Sequence, residues 1–509
     1  MSYLDYLEEE NSRTRTLNGA AAYSATGSAC LDLFATAGGM RYRSRRELRA
    51  MFDRAYIETP DLAMKLLFYI RDIRGGMGER ETFRALIRHT AMRWPESAVK
   101  NVRLIAEYGR WDDLLCLLGT PAQGEAVRVI RAQLDKDLEA AAKRSEGEIE
   151  APISLLAKWM PSGNTSSART RKNAQILMSA LGMKSRAYRK MLSFLRSHIA
   201  LTERYLTNQT QEKICFEAVP AGAMLRYRDA FHRGPENKRF REYIENVSAG
   251  KNRIHVDTLF PYEILRPFFN REMLRWDWEY EQDPPAEQSA YVLEALWNSQ
   301  NPQIAGENAI CIVDTSGSMY MRYGGGPLPA LISQSLGLYY AERCKGYFHG
   351  HLITFESEPH LVKIPDGTVE DKLTYIQSMP WGMSTNLEAV FDLLLDTAAA
   401  QNVPQEELPS MIYIISDMEF NMCMTDSDET IFENARKRFE EAGYELPAVV
   451  FHNVNSWHMQ VPVRGNTKGA ALVSGAGTSS FREEYSRNTT PLEHMLKVLE
   501  GKRYEPVCA

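Results

Sequence analysis

The sequence predicts a multidomain chain, α followed by α/β, in which a helical solenoid or ring precedes a doubly wound parallel sheet. Two patterns predict it, and a division of charge coincides with them. Between residues 60 and 300 apolar side chains recur three or four apart, with glycine or proline interrupting successive runs, which is the signature of amphipathic helices. From Ala309 onward short, continuous apolar runs alternate with helical stretches, the pattern of buried parallel strands joined by crossover helices. Residues 1–300 hold 45 Lys and Arg against 39 Asp and Glu, while residues 301–509 hold 15 against 27. The expected division is therefore a helical domain over 1–300 and an α/β domain over 301–509.

In the first part, Leu62, Leu66, Ile70 and Ile73 form one apolar stripe. Val127, Ile130, Leu134 and Leu138 form a second, and Tyr188, Leu192, Leu195 and Ile199 a third, each with charged residues on the remaining face. No fixed-period repeat accompanies them, so paired helices are expected without a demonstrated repeat unit. Arg74-Gly75-Gly76-Met77-Gly78-Glu79-Arg80 is glycine-rich but lacks Gly-Lys-Ser/Thr, and is expected to be a sharp interhelical turn instead of a nucleotide loop. Asp283-Pro284-Pro285 marks a break, followed by a short helix to Trp297 and a polar connector from Asn298 to Asn308. In the second part strands are expected at Ala309–Val313, Gly350–Phe355, Met411–Ile415, Ala448–Phe451 and Ala470–Val473. Helices are expected at Ala330–Arg343, Leu387–Ala399, Thr430–Ala442 and Pro491–Leu499.

Composition narrows the function classes. At 44% hydrophobic and 25% charged the 509 residues are ordinary globular material. No stretch approaches the roughly 18 consecutive apolar residues of a membrane span, and the acidic start, Met1 to Asn11, is unlike a secretory leader. Seven scattered cysteines without a CxxC pair argue against a disulfide framework or structural zinc, so a reducing cytoplasm is expected. The ten histidines form no HxxxH or HExxH pair, and no GxSxG elbow marks a nucleophile. The expectation is a protein that is not an enzyme and does not associate with membranes.

Ligands of open α/β sheets gather at the carboxyl ends of strands, where Asp314 ends the first strand of the second part. Asp314-Thr315-Ser316-Gly317-Ser318 sets three oxygen-bearing side chains at alternate positions of one tight loop, suited to a hard divalent cation such as Mg2+. Thr385, in Gly382-Met383-Ser384-Thr385, and Asp417, after the strand at 411–415, supply two more oxygens. The set Asp314, Ser316, Ser318, Thr385 and Asp417 resembles the metal-ion-dependent adhesion site of von Willebrand factor A domains. That resemblance covers Asn308 to the C-terminus and implies a metal whose free position accepts a carboxylate from a protein partner. A haloacid-dehalogenase phosphatase also begins with a strand ending in aspartate, but it requires an aspartate where Ser316 stands.

The basic excess is concentrated. From Ala151 through Thr202 there is no acidic residue, against nine basic ones: Lys158, Arg169, Arg171, Lys172, Lys184, Arg186, Arg189, Lys190 and Arg196. Cations on consecutive helices, beside the hydroxyl-rich Ser162-Gly163-Asn164-Thr165-Ser166-Ser167, suit phosphate oxygens. The competing reading is a solvated basic face that pairs with acids elsewhere in the chain.

The stretches LFYIRDIRGGMGER (67–80), EYGRWDDLL (107–115), LAKWMPS (156–162), AMLRYRDAF (223–231) and LFPYEIL (259–265), followed by the metal-site motif, resemble the Ro ribonucleoprotein family. That family joins a TROVE domain to a von Willebrand factor A domain, and the likeness is greatest to its microbial, viral and plant relatives. The resemblance implies a HEAT-like helical ring whose basic outer surface and central hole bind small structured RNAs and the ends of defective ones. A second organisation, helices joined to a von Willebrand A domain that serves a MoxR-type AAA+ ATPase, would instead imply a protein adaptor without RNA.

Overall fold

The computed structural model describes residues 7, 10–145, 152–269, 285–301, 304, 308–321, 326–355, 358–379, 385–422 and 428–509. Asp283 and Pro284 of the expected break, much of the connector before Asn308, and Gly382 to Ser384 lie outside them.

The first part is helical, as its 3.6-residue periodicity requires. Its principal helices are α1 (Ala29–Thr36), α2 (Arg45–Glu58), α3 (Pro60–Arg71), α4 (Arg80–Arg93), α5 (Pro95–Asn101), α6 (Gln123–Ser145), α7 (Ala168–Leu181), α8 (Ser185–Ser197), α9 (Ala221–Arg233), α10 (Asn237–Ser248) and α11 (Glu287–Asn298). Local signals set their ends. Ser44 and Glu47 form a reciprocal capping box at the start of α2, Pro60 occupies the first turn of α3, and Gly182 takes the left-handed conformation after α7. Neighbouring helices pack in sequence, α2 on α3, α3 on α4 and α4 on α5.

The glycine-rich segment is the expected turn between α3 and α4. Met77 N donates to the Tyr69 carbonyl at 3.0 Å, and a Cβ on Gly76 would lie 2.1 Å from that oxygen, so only glycine fits. Charges are buried beside it. Asp113 accepts from Arg71 Nε at 2.8 Å and Arg84 Nε at 2.6 Å and is wholly buried, while Asp72 pairs with Arg503 near the C-terminus. The stretches at 67–80 and 107–115 thus meet in one ion-pair network.

The second part is a six-stranded sheet. With a hairpin of β1 (Arg13–Arg15) and β2 (Ala21–Tyr23) preceding the helices, its strands are β3 (Ala309–Asp314), β4 (His351–Phe355), β5 (Leu361–Lys363), β6 (Met411–Ser416), β7 (Ala448–Asn453) and β8 (Ala470–Ser474). The spatial order is β5-β4-β3-β6-β7-β8, all parallel except β5, which runs antiparallel to β4. This is the doubly wound order, with its switch point between β3 and β6. The five expected strands and four expected helices of this part are present, the helices as α12 (Pro329–Arg343), α14 (Leu387–Gln401), α15 (Ile431–Glu441) and α16 (Pro491–Leu499). The additional elements are β5 and α13 (Val369–Ser378).

Strand alternation divides the apolar residues between two cores. Cys311, Val313, Tyr413, Ile415 and Val450 face α12 and share one continuous core with the helical part; Ile310, Ile312, Ile414, Val449 and Phe451 face α14 and α15. The helical series begins and ends on the α/β part: α1 packs on β8 and α16, and α11 packs on α13. Two segments cross between the parts. The β1–β2 hairpin lies on the α/β part, with Tyr23 and Val461 exchanging backbone hydrogen bonds at 2.9 and 2.8 Å, and the C-terminal residues reach Asn101 and Asp61 of the helical part.

Candidate metal centre and basic surface

Asp314 and Asp417 stand at the carboxyl ends of β3 and β6, on the two sides of the switch point, where the strand order opens a crevice. Both are buried, and their surroundings are built from the strand ends. Asp314 Oδ1 accepts from the Ser316 backbone N–H at 2.9 Å, and its Oδ2 accepts from the Ser416 hydroxyl. Ser333 on α12 donates to the Asp314 carbonyl at 3.1 Å, and Gly337 lets the same helix approach Val313 closely. Ser316 and Ser318 hydroxyls are 3.1 Å apart, and the Ser318 side chain hydrogen-bonds Asp417. The other contact to Asp417 is the Glu419 N–H, 3.2 Å from Oδ1; Oδ2 is buried without a hydrogen-bond partner among the described residues.

A buried carboxylate beside another has its proton affinity raised by burial and by repulsion. Burial, then repulsion from Asp314, pushes the Asp417 carboxyl up to about 8, against the hydrogen bonds from Ser318 and Glu419. Asp314 is raised by its burial, which the Ser416 and Ser316 hydrogen bonds oppose. A buried carboxylate oxygen without a partner among the described residues, with serine hydroxyls and a second carboxylate at the neighbouring strand end, is an oxygen donor set that fits a hard divalent cation. No three His, Cys, Asp or Glu side chains converge among the described residues, so such a cation would need the serine hydroxyls as well as the two carboxylates.

Four of the five expected ligands, Asp314, Ser316, Ser318 and Asp417, meet through direct contacts. Thr385 makes no hydrogen bond to them among the described residues. Its buried hydroxyl lies 2.8 Å from the Glu419 carbonyl and 2.7 Å from Asn421 Oδ1, and it accepts from Asn18 Nδ2 at 3.1 Å. Thr385 is thereby fixed to the loop that follows Asp417. Four neighbours were not legible in the motif. Ser416 orients Asp314. Met418, at φ 68°, turns the loop in the left-handed region that side chains disfavour. Glu419 accepts from Leu17 N at 2.8 Å and Gln460 Nε2 at 2.6 Å, and Asn18 donates to both Thr385 and the Glu419 carbonyl. The tip of the β1–β2 hairpin therefore rests against this loop, a contact between residues 401 and 402 positions apart with no sequence signal.

The basic segment divides differently. Arg169, Arg171 and Lys172 on α7, Arg186, Arg189 and Lys190 on α8, and Lys184 before α8 are all exposed. None makes an ion pair with a carboxylate among the described residues; Arg171 donates to the Thr165 and Ser166 carbonyls at 2.7 and 2.8 Å. Lys158 is the exception, half-buried and paired with Glu203 at 3.1 Å, with Trp159 beneath it. Ser167 caps α7 by accepting from Thr170 N, so the hydroxyl-rich stretch begins a helix as expected.

The fold and site define a two-part protein, a series of packed helices joined to a doubly wound α/β domain with an Asp/Ser loop at its switch point. The chain belongs to the family described as "Domain of unknown function (DUF2828)", whose model matches residues 16–131 and 164–305. A second model, "Domain of unknown function (DUF7788)", matches residues 308–483. The chain is 28% identical over 531 residues to "Uncharacterized protein L728" of Acanthamoeba polyphaga mimivirus, covering 97% of this chain and 88% of that one. It is also similar to the protein of the "Crystal structure of Deinococcus radiodurans RO (RSR) protein", at 14% identity and a TM-score of 0.46, over 93% of this chain and 99% of that chain.

Proposed function

We propose that this chain is a non-enzymatic, cytoplasmic RNA-binding protein that holds small structured or defective RNA on its basic helices. In this reading its α/β domain carries Mg2+ or another divalent cation and binds a protein partner. The observation that carries the RNA reading is the row of seven exposed cations on α7, α8 and their connection, without carboxylate partners among the described residues. A basic face that served internal ion pairing would have acids beside it, and among the described residues only Lys158 does. Unpaired, exposed guanidinium and ammonium groups on adjacent helices attract the phosphate backbone and release its counterions. The sequence likeness to Ro ribonucleoproteins points the same way. The six described cysteines are free, in keeping with a reducing compartment, and no helix among the described residues is long and apolar enough to cross a membrane.

For the metal, Asp314, Ser316, Ser318 and Asp417 would hold the ion, with Thr385 joining through the loop at 419–421. The ion would supply an open coordination position for a partner's carboxylate oxygen. The supporting observation is the unpartnered Asp417 Oδ2.

The decisive experiment is binding of a structured RNA across a salt series, with Arg169, Arg171, Arg186 and Lys190 changed together to Glu. The proposal expects affinity that falls steeply with salt and is lost in the variant. Absence of binding at low salt, with binding of a protein that depends on Asp314, would transfer the assignment to the adaptor class.

A further inference from the structure

Beneath the exposed cations lies a cavity of about 280 Å³ between α8, the segment preceding α7 and the short helix that follows α8. Its polar lining consists chiefly of Ser162, Asn164, Arg189, Ser193, Arg196 and Arg204. Three guanidinium groups thus share one concave space, and none has a carboxylate within ion-pair distance among the described residues. Glu203, the acid nearest in sequence, is taken up by Lys158.

The walls are fixed by the chain itself. Arg196 donates from Nε to the Ala157 carbonyl at 2.8 Å, from Nη2 to the Met160 carbonyl at 2.8 Å, and from Nη1 to the Ser162 hydroxyl at 3.3 Å. Arg204 donates to the Arg196 carbonyl, and the Tyr188 hydroxyl to the Pro161 carbonyl at 3.0 Å. An arginine has five N–H groups. Among the described residues Arg196 and Arg204 therefore keep unused donors after holding the fold, and Arg189 keeps all of its own. Burial and the neighbouring Arg204 both lower the proton affinity of Arg196, as expected of a cation that lacks an anionic partner.

We infer that this cavity is a binding site for a phosphate monoester, whose oxygens sit among Arg189, Arg196 and Arg204. A monoester carries roughly −1.5 to −2 charges at neutral pH, whereas a diester within a strand carries one, so three uncompensated guanidiniums favour the former. On the RNA-binding reading above, on which this identification of the bearer rests, the ligand is the phosphorylated end of an RNA strand. The other six exposed cations then hold the body of the RNA while the cavity, with Arg189, holds its terminus. A free nucleoside monophosphate offers the same chemistry.

The test uses the full chain and two sets of probes. Calorimetric titration with AMP, adenosine and inorganic phosphate addresses the cavity itself. AMP and phosphate should bind and adenosine should not, and Arg189→Ala with Arg204→Gln should weaken AMP at least about ten-fold at an unchanged melting temperature. Arg189→Ala alone, which removes no internal hydrogen bond, serves if the double variant is unstable. Equal behaviour of AMP and adenosine overturns the site. The second set is one single-stranded RNA ending in a 5′-phosphate, a 3′-phosphate or hydroxyls. A preference of about ten-fold for a phosphorylated end, removed by AMP and by Arg189→Ala, supports the terminus. RNA binding without such a preference overturns the terminus and assigns the cavity to free nucleotide. Failure of every RNA to bind, with AMP binding intact, rejects the RNA reading and leaves the phosphate site standing.

Discussion

The two candidate sites are opposites in construction. At the carboxyl ends of β3 and β6 a few short oxygen-bearing side chains, Asp314, Ser316 and Asp417 buried and Ser318 half-buried, are fixed by the strand ends and the loop after β3. On α7 and α8 long side chains are exposed, positive and free of ionic partners among the described residues. In the first, low solvent access makes each charge strong and each missing partner costly, and the ligand proposed for it is a single ion. In the second, solvent screens each charge, and affinity can arise only from many charges acting together. A single substitution should therefore disable the first site and only weaken the second.

The largest effect expected from this contrast is on RNA. Changing Arg169, Arg171, Arg186 and Lys190 together to Glu should lower affinity by about 10³-fold or more at 50 mM salt and flatten the salt dependence. Each single change should cost far less. Gel-shift titrations at several salt concentrations would measure both, and a single change that abolished binding would mean the surface works by one specific contact.

Next in size is an effect confined to buried groups. His452, at the end of β7, donates from Nε2 to the Gly475 carbonyl at 2.8 Å and is fully buried. Burial, opposed by that carbonyl and reinforced by Arg41, pulls its imidazole down to about 4. The neutral form is favoured in the folded chain, so this contribution to stability is present above pH 6.5 and lost as pH falls through 4. The depression corresponds to about 3 kcal/mol. His494, brought down to about 4 by burial and Lys497, acts in the same window. Urea unfolding at pH 7, 5 and 4 should show the loss, and His452→Gln should reduce its steepness. An equal loss in the variant would assign the acid sensitivity to other groups.

The contrast between the sites also decides what the sequence could reveal. The five continuous apolar runs identified β3, β4, β6, β7 and β8 because both faces of these strands are buried, even at the β8 edge. β5 escaped because its three residues are mostly exposed and end in Lys363. Asp314 and Asp417 were legible from their positions at strand ends. Ser416, Glu419 and Asn18 were not, because one lies within a strand, one needs the left-handed turn at Met418, and one arrives from a distant hairpin. On the helices, composition was enough to find the exposed cations, since nothing has to converge. Arg204 of the cavity was missed because the acid-free stretch ends at Glu203, although the fold ties that glutamate to Lys158 and leaves its neighbour without a carboxylate partner among the described residues.

The metal site gives the next smaller effect. Mg2+ at about 100 times its dissociation constant should stabilise the chain by about 2.7 kcal/mol, read as a rise in urea midpoint that EDTA reverses. Asp314→Ala should eliminate that rise and leave RNA affinity unchanged. A variant that responded to Mg2+ like the parent would remove Asp314 from the ligand set, and a parallel loss of RNA affinity would mean that the two sites are not independent.

The smallest effect sharpens the contrast most, because it concerns a residue that touches no expected carboxylate. Asn18 reaches from the β1–β2 hairpin to the Thr385 hydroxyl and the Glu419 carbonyl, and Glu419 in turn accepts from the Leu17 N–H. Groups that orient a ligand from behind contribute to metal affinity through the position they impose. Asn18→Ala should weaken Mg2+ by up to about ten-fold, while Asn18→Asp, which retains the size but loses the donor to Thr385, should weaken it to a similar degree. Leu17→Ala, at the same hairpin but with its side chain exposed, should have no effect. If Asn18→Ala leaves Mg2+ affinity unchanged, Thr385 is held by Glu419 and Asn421 alone, and the hairpin is a covering of the site with no part in its geometry.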